Sequence, residues 1–400
     1  MLSWEQTPSL GPMRCCRAWV EIDLEALRHN VQQFKQHLGH RAQLMAVVKA
    51  DAYGHGAVMI AQAALKAGAN WLGVATVPEG IELRTAGVQA PILVMGAVNS
   101  PEEMQAIARW QLQPTLVTPK QALMFSDILS RLAPARPVEV HLKLDTGMSR
   151  LGFPAAEAVE FVRFVRPLPH LTIGGLYSHF ATADSPDPTT MIQQHQRFQA
   201  AVAQLTAENL LPPRLHLANT AATLADPALH YDMVRVGLGL YGLYPAPHLQ
   251  SVLDLKPVMQ VKARITLLKD LPAGTGVSYG HSYIAEHPLR MAVVGIGYAD
   301  GVPRILSNRI QGMIKGQLAP QIGTITMDQL MVDVTHIPDL QEGDVVTLLG
   351  QDGPHCTTAD DWADLTQSIS WEILCGFKHR LPRVAIEKPI SSIQGARQGG

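Results

Sequence analysis

Lys49 is the first residue in this 400-residue chain whose surroundings suit covalent chemistry. It stands in the run Val47-Val48-Lys49-Ala50-Asp51-Ala52-Tyr53-Gly54-His55-Gly56. A neutral lysine attacks a carbonyl to form a Schiff base. A buried one is costly unless it has a partner or a task. A second run, Lys143-Leu144-Asp145-Thr146-Gly147-Met148-Ser149-Arg150, brings two cations together with hydroxyls and a carboxylate. Ser178-His179-Phe180, Asn219-Thr220, and Arg235 with Gly237 and Gly239 complete the set. The glycines and hydroxyls of the last two segments suit a phosphate held by backbone N–H groups. Taken singly, each residue has a plainer reading. Lys49 would be a rim lysine in a salt bridge, and His179 a core histidine bonded to a backbone carbonyl. Arg235 would plug a barrel and pair with a carboxylate, and Thr220 would cap a helix. What weakens these readings jointly is the placement of the segments.

Each segment follows, or overlaps the end of, an apolar run suited to a buried parallel strand, and Arg235 lies within one. The runs are Leu44–Val48, Leu72–Ala75, Ile92–Met95, Pro114–Val117, Val138–Leu144, Ile173–Tyr177, Leu215–Leu217 and Val234–Leu238. Helical stretches lie between most of them. Leu24, Leu27, Val31, Phe34 and Leu38 have helical spacing, with Asp23 as N-cap. An alanine-rich helix follows the Gly54–Gly56 loop and stops at Gly68, another covers Met191–Asn209, and a short one lies near Ala221–Ala225. Eight β/α units in series predict a closed (β/α)8 barrel of the α/β class. Catalytic groups in such barrels sit at the C-terminal strand ends, and reactive types follow five of the eight.

Beyond Pro245 the pattern changes. Val258–Leu268, Met291–Ile296, Leu330–Val334 and Asp344–Leu349 read as strands separated by turn signals, a mostly antiparallel β domain. Short helices are expected near Thr358–Leu365 and Trp371–Cys375. The predicted organisation is a flexible leader over 1–17, a barrel over 18–245, a β domain over 246–386 and a disordered tail over 387–400.

Apolar residues make up 47% of the chain, enough for two cores, and charged residues only 16%, with a net charge of -2. That balance gives no reason to expect nucleic acid or an acidic membrane as partner. No apolar stretch is long enough to span a bilayer, and the N-terminus has no signal-peptide core. Cys15, Cys16, Cys356 and Cys375 fit neither a disulfide framework nor a zinc pattern, so no metal is expected and a reducing cytoplasm is the expected compartment.

The run around Lys49 resembles the cofactor-lysine signature of alanine racemases. The resemblance continues through Lys143–Gly152, Leu176–Asp184, Val234–Leu243, Val277–Gly280, Gly297–Arg304 and Gly323–Gln329, and covers the chain from Trp19 to Val384. That family has a (β/α)8 barrel and a C-terminal β domain, in agreement with the reading above. The resemblance implies that Lys49 binds pyridoxal 5'-phosphate as a Schiff base and serves as one catalytic base. It implies that Tyr279 is the second base, contributed by the other subunit of a homodimer. Tyr53, Thr220, Gly237 and Leu238 would hold the phosphate, with Asn219 also among the cofactor-binding residues. Arg235 would face the pyridine nitrogen, with His179 bonded behind it. Arg150 would lie near the ring hydroxyl and the substrate carboxylate, supported by Lys143, which is carbamylated in many relatives. Met327 and Asp328, also from the partner, would line the substrate site.

The implied activity is interconversion of L- and D-alanine, supplying D-alanine for peptidoglycan. Two bases on opposite faces remove and return the α-proton without rotating the intermediate. The cofactor is the electron sink. An arginine at the pyridine nitrogen does not readily give up its proton. The ring then stores less negative charge, which suppresses side reactions such as transamination. Two departures from the family pattern stand out. Trp371 replaces a tyrosine whose hydroxyl bonds the phosphate, which leaves a serine or broader-specificity racemase as an alternative. Thr324 replaces an arginine. Amino-acid decarboxylases share the barrel, but they need an acid where Arg235 stands. Small pyridoxal-phosphate carriers lack the second domain. A cofactor-free Schiff-base aldolase would use the phosphate cradle for its substrate.

Overall fold

A computed structural model describes residues 16–134 and 136–386. The expected leader up to residue 15 and the expected tail over 387–400 lie outside the described residues. Two compact units emerge. Among the described residues, one is Ala26–Lys256; the other joins residues 16–25 with residues 257–386.

The first unit is the expected barrel. All eight anticipated strands form: Gln43–Val47, Trp71–Val74, Ile92–Ala97, Gln113–Leu116, Val138–Asp145, Leu171–Tyr177, Leu215–His216 and Met233–Val236. Each pairs in parallel with its predecessor up to Leu215–His216, and Met233–Val236 returns to pair with Gln43–Ala46. The gap between the seventh and eighth strands is bridged by the Asp232 N–H donating to the Leu215 carbonyl (3.0 Å) and the Arg235 N–H to Ala218 (3.0 Å). The ring is thus nearly closed. Strands buried on both faces are largely apolar, and Leu44, Met45, Ala46, Leu72, Val74, Ile92, Leu93 and Val94 are fully enclosed. Met45, Trp71, Leu93 and Met233 form one interior cluster. Helix starts follow local chemistry. Thr76 and Glu79 form a capping box, and Ser100 and Thr118 cap the next two helices, each with proline in the first turn. Such caps contribute about 1 kcal/mol each.

The second unit carries a sheet in the order Gln317–Pro320, Gln311–Ile314, Val345–Asp352, Met259–Leu271, Ala18–Asp23 and Arg383–Ile386, with Leu289–Val294 branching from Met259–Leu271 and Leu330–Asp333 pairing in turn with Leu289–Val294. Both expected helices form, at Ala359–Thr366 and Ser370–Gly376.

Ala18–Asp23 departs from the expected organisation. Its six residues are all buried, and it pairs antiparallel with Met259–Ala263 and parallel with Arg383–Ile386. Among the described residues, Ala18–Asp23 therefore packs with the β unit, and the two compact units divide at Glu25–Ala26 and Lys256–Pro257. Both ladder partners lie near the far end of the sequence, so no local pattern marks this strand as theirs. Arg17, expected in a flexible leader, donates two hydrogen bonds to the buried carboxylate of Asp300, at 2.9 and 2.7 Å.

Candidate active site

Lys49 follows the first barrel strand directly, and the backbone beyond it turns the wrong way. Ala50, Asp51, Ala52 and Tyr53 are all left-handed, with φ of 53°, 53°, 53° and 54°. Left-handed backbone costs about 1–2 kcal/mol per residue that is not glycine. Local bonds hold the turn in place. Ala52 N–H donates to Val48 O at 2.9 Å and Gly56 N–H to Asp51 O at 3.0 Å. Ala50 N–H donates to Glu79 Oε1 (2.8 Å) and Ala57 N–H to Asp51 Oδ1 (2.7 Å). Strain retained in this way concentrates at functional sites. Its local result is a buried Tyr53, whose ring centre lies 6.0 Å from Lys49 Nζ and 4.9 Å from the Tyr241 ring. Gly237 has to be glycine here, because a Cβ would come within 2.6 Å of the Tyr53 hydroxyl. Gly237 N–H donates to Thr220 Oγ1 at 3.1 Å, and Leu238 beside it is buried. The cap of helix Thr220–Ala225 falls to Asn219, which accepts from Ala222 N–H at 3.0 Å.

Arg235 is 3% exposed and spends its terminal nitrogens on the barrel. Nη1 donates to His216 Nδ1 (3.1 Å) and His216 O (3.1 Å). Nη2 donates to Ser178 O (2.7 Å), His179 Nδ1 (3.0 Å) and Leu217 O (3.0 Å). Among the described residues, its remaining donor, Nε–H, has no hydrogen-bond acceptor. Guanidinium nitrogens only donate, so both histidines present lone pairs to it and are neutral. One proton position then fixes the next. His216 must carry its proton on Nε2, which donates to His141 Nδ1 at 2.9 Å. His141 must carry its own on Nε2, which donates to Gln113 Oε1 at 3.0 Å. Burial, then the neighbouring arginines, pushes His141 down to about 3 and holds His216 and His179 well below the usual imidazole range. Burial also lowers Arg235, to about 10.

The remaining cations converge on the same barrel end. Lys143 is buried and pushed down to about 8 by desolvation, Arg235, Arg150 and Lys49, with Asp145 opposing. Among the described residues it has no hydrogen-bond partner; its Nζ lies 5.4 Å from the Tyr177 ring centre. Arg235 sits on the same ring at 5.1 Å. Tyr177 is stacked on His216 and bonded to Thr115 at 2.8 Å, and burial raises its phenol to about 12. Arg150 is exposed.

The barrel unit thus gathers Lys49, Tyr53, Lys143, Arg150, His179, Thr220, Arg235 and Gly237. His141, His216 and Tyr177 escaped the sequence reading. A signal existed for His141: it lies two residues before Lys143 on one strand and so shares its face.

The β unit holds the other candidates. Tyr279 is 73% exposed and Met327 52%. Asp328 pairs with Arg380 at 2.7 Å, and Arg380 also approaches Asp300 at 3.5 Å. Trp371 is half-buried at the start of helix Ser370–Gly376. Thr324 is buried and bonded to the Tyr279 carbonyl at 2.8 Å.

Fold and site together define a barrel protein with a lysine just beyond the end of its first strand. Residues 22–245 match the family model described as alanine racemase, N-terminal domain, and residues 258–385 the C-terminal domain. An alanine racemase from Nostoc sp. is 66% identical, over 92% of this chain and 96% of its own length. The crystal structure of alanine racemase from Streptomyces lavendulae superposes with a TM-score of 0.86 at 37% identity, covering 96% of this chain and 99% of that one. That from Bacillus anthracis with bound L-Ala-P gives 0.87 at 32% identity, covering 93% and 95%. The chain belongs to the alanine racemase family, pyridoxal-phosphate-dependent isomerases. Among the described residues, no helix is long and apolar enough to cross a membrane.

Proposed function

We propose that this chain interconverts L- and D-alanine in the cytoplasm, supplying D-alanine for peptidoglycan, with pyridoxal 5'-phosphate on Lys49 and with Tyr279 of a second subunit as the opposing base. The observation that carries the cofactor reading is Arg235. It is a buried cation with one donor left over, and a pyridine nitrogen is an acceptor that matches it. Tyr53 and Thr220 close on Gly237, where a Cβ would meet the Tyr53 hydroxyl, and these groups with Leu238 would hold the phosphate. Asn219 orders the adjoining helix start.

When bound, the cofactor supplies the sink for the electron pair left by the departing α-proton. The protein's residues do the rest. Arg235 is locked by five contacts and flanked by neutral imidazoles, so it holds its proton and would leave the ring nitrogen of a bound cofactor unprotonated, which would limit charge storage there. Lys49 Nζ takes or gives the proton on one face, and the Tyr279 hydroxyl does so on the other. Arg150, exposed and cationic, orients the substrate carboxylate. Met327 and Asp328 limit substrate size from the partner's side, and Trp371 stands where the family pattern has the tyrosine that bonds the phosphate. A solved relative that holds L-Ala-P supports an alanine-sized substrate.

Lys143 is a candidate carbamate. Its lowered pKa of about 8 leaves neutral amine available, and attack of Nζ on carbon dioxide with loss of a proton would place an anion among Lys49, Arg150 and Arg235. Homodimerisation is supported by the exposure of Tyr279 (73%), Met327 (52%) and Ile369 (56%) in one unit.

Purified holoprotein given L-alanine should form D-alanine, read by chiral chromatography. Protein that shows visible pyridoxal absorbance yet forms no D-alanine, while racemising serine, would transfer the reading to a serine racemase.

A further inference from the structure

Thr324 stands where the family pattern has an arginine, and its surroundings give it a specific task. The chain around Tyr279 is strained. Ser278, just before it, has φ 63° and ψ −170°, a region otherwise almost confined to glycine. Gly280, just after, is left-handed at φ 71°. The Tyr279 side chain stands 73% exposed, so the backbone beneath it sets its direction.

That backbone is clasped by the loop around Thr324. Ser278 Oγ–H donates to the Thr324 carbonyl at 2.7 Å, and Thr324 Oγ1–H donates to the Tyr279 carbonyl at 2.8 Å. A threonine hydroxyl has one proton, so the 3.0 Å contact between Thr324 Oγ1 and Ser282 Oγ must be a donation from the serine. Ser282 Oγ in turn accepts from Asn308 Nδ2 at 3.2 Å. The Asn308 amide is oriented because its Oδ1 accepts from Gly323 N–H at 2.6 Å. Every donor in the series Asn308, Ser282, Thr324 to the Tyr279 carbonyl therefore points one way. Thr324 is only 6% exposed, so an unmade bond there would not be replaced freely by water. Gly323 permits the approach: a Cβ on it would lie 2.8 Å from both Val277 Cγ1 and Val277 O.

We infer that Thr324 is a positioning residue for Tyr279, fixing the strained turn that aims the phenol through a one-directional hydroxyl relay from Asn308 and Ser282. The inference rests on the reading of Tyr279 as one of two bases. An arginine offers this position a long cation and no hydroxyl. The threonine instead turns its hydroxyl onto the backbone, so this chain uses the position to hold a turn.

The test is α-proton exchange of L- and D-alanine in deuterated water, followed by NMR on holoenzyme variants. Tyr279→Phe defines the face: it should suppress exchange of one enantiomer far more than the other. Equal suppression there overturns the two-base reading itself. With that asymmetry established, Thr324→Val should lower exchange of the same enantiomer about tenfold more than its mirror image, since misplacement of a base by a fraction of an ångström is costly. Thr324→Ser, which keeps the hydroxyl, should restore both to within about threefold. Ser282→Ala, at an exposed position, should reproduce the asymmetry at about threefold and keeps the test open if Thr324→Val does not fold. Loss shared equally by both enantiomers, or no loss in either Thr324→Val or Ser282→Ala, overturns the assignment.

Discussion

The two halves of the proposed chemistry are held by opposite means. In the barrel, Arg235 and Lys143 are buried, Lys49 is half-buried, and side chains fix Arg235 and the turn after Lys49. Arg235 is bonded at both terminal nitrogens, each histidine behind it has a single allowed proton position, and Lys49 precedes a left-handed turn pinned by Glu79 and Asp51. In the β unit, Tyr279 and Met327 are exposed, and what fixes them is backbone: the Thr324 clasp, and the Tyr298 and Ala299 N–H groups donating to Thr326 O and Met327 O at 3.0 Å each. A group that must stay charged or neutral regardless of solvent has to be enclosed. A group that must meet something outside its own unit has to remain exposed, so only its backbone can be ordered in advance.

This contrast predicts where activity and stability separate. The largest effect is expected at Lys49. Lys49→Ala should remove the visible pyridoxal absorbance and lower racemisation by at least about 10³-fold. A yellow, active variant would falsify its assignment. Arg235→Ala should cost both function and fold. It strands His216, His179 and three carbonyls in the barrel, and urea denaturation should show a loss of about 3 kcal/mol or more. Retained stability would mean that the relay rearranges freely.

Next comes pH. The folded barrel keeps His141, His216 and His179 neutral, whereas the unfolded chain protonates them near pH 6.5. The unfolded state then binds more protons, so stability is complete above pH 6.5 and declines as pH falls toward the depressed folded values. The slope should be about 1 kcal/mol per pH unit per histidine. His141→Gln should flatten it between pH 6 and pH 4, measured by urea midpoints; an unchanged slope would exclude His141 as a contributor. The smallest stability effect belongs to the β unit. Tyr279→Phe should change stability by less than about 0.5 kcal/mol while removing the second base. A large stability loss there would erase the contrast between the two regions.

Much of this was legible in sequence because it rests on local pattern. Trp71–Val74 and Ile92–Ala97 are continuous apolar runs, as burial on both faces favours, and Val138–Asp145 and Met233–Val236 set their polar residues among apolar ones. The signature around Lys49, and Arg235 with Gly237, stand immediately after or within those runs, so finding the strands found the strand ends. Tyr279 and Met327 were reachable only through family resemblance, since an exposed tyrosine and methionine carry no local signal of chemistry.

Sequence alone therefore determined the order of elements and most of the reactive residue types, because propensity and hydrophobic period act over a few neighbours. Tertiary structure decided which groups share a proton. The series Arg235, His216, His141 and Gln113 joins residues that meet only when the barrel closes. It also decided that Ala18–Asp23 belongs to the β unit, where Met259–Ala263 and Arg383–Ile386 supply its ladders. The task of Thr324 was settled in the same way, because a hydroxyl takes its meaning from the carbonyl it faces, and that carbonyl is brought to it only by the folded chain.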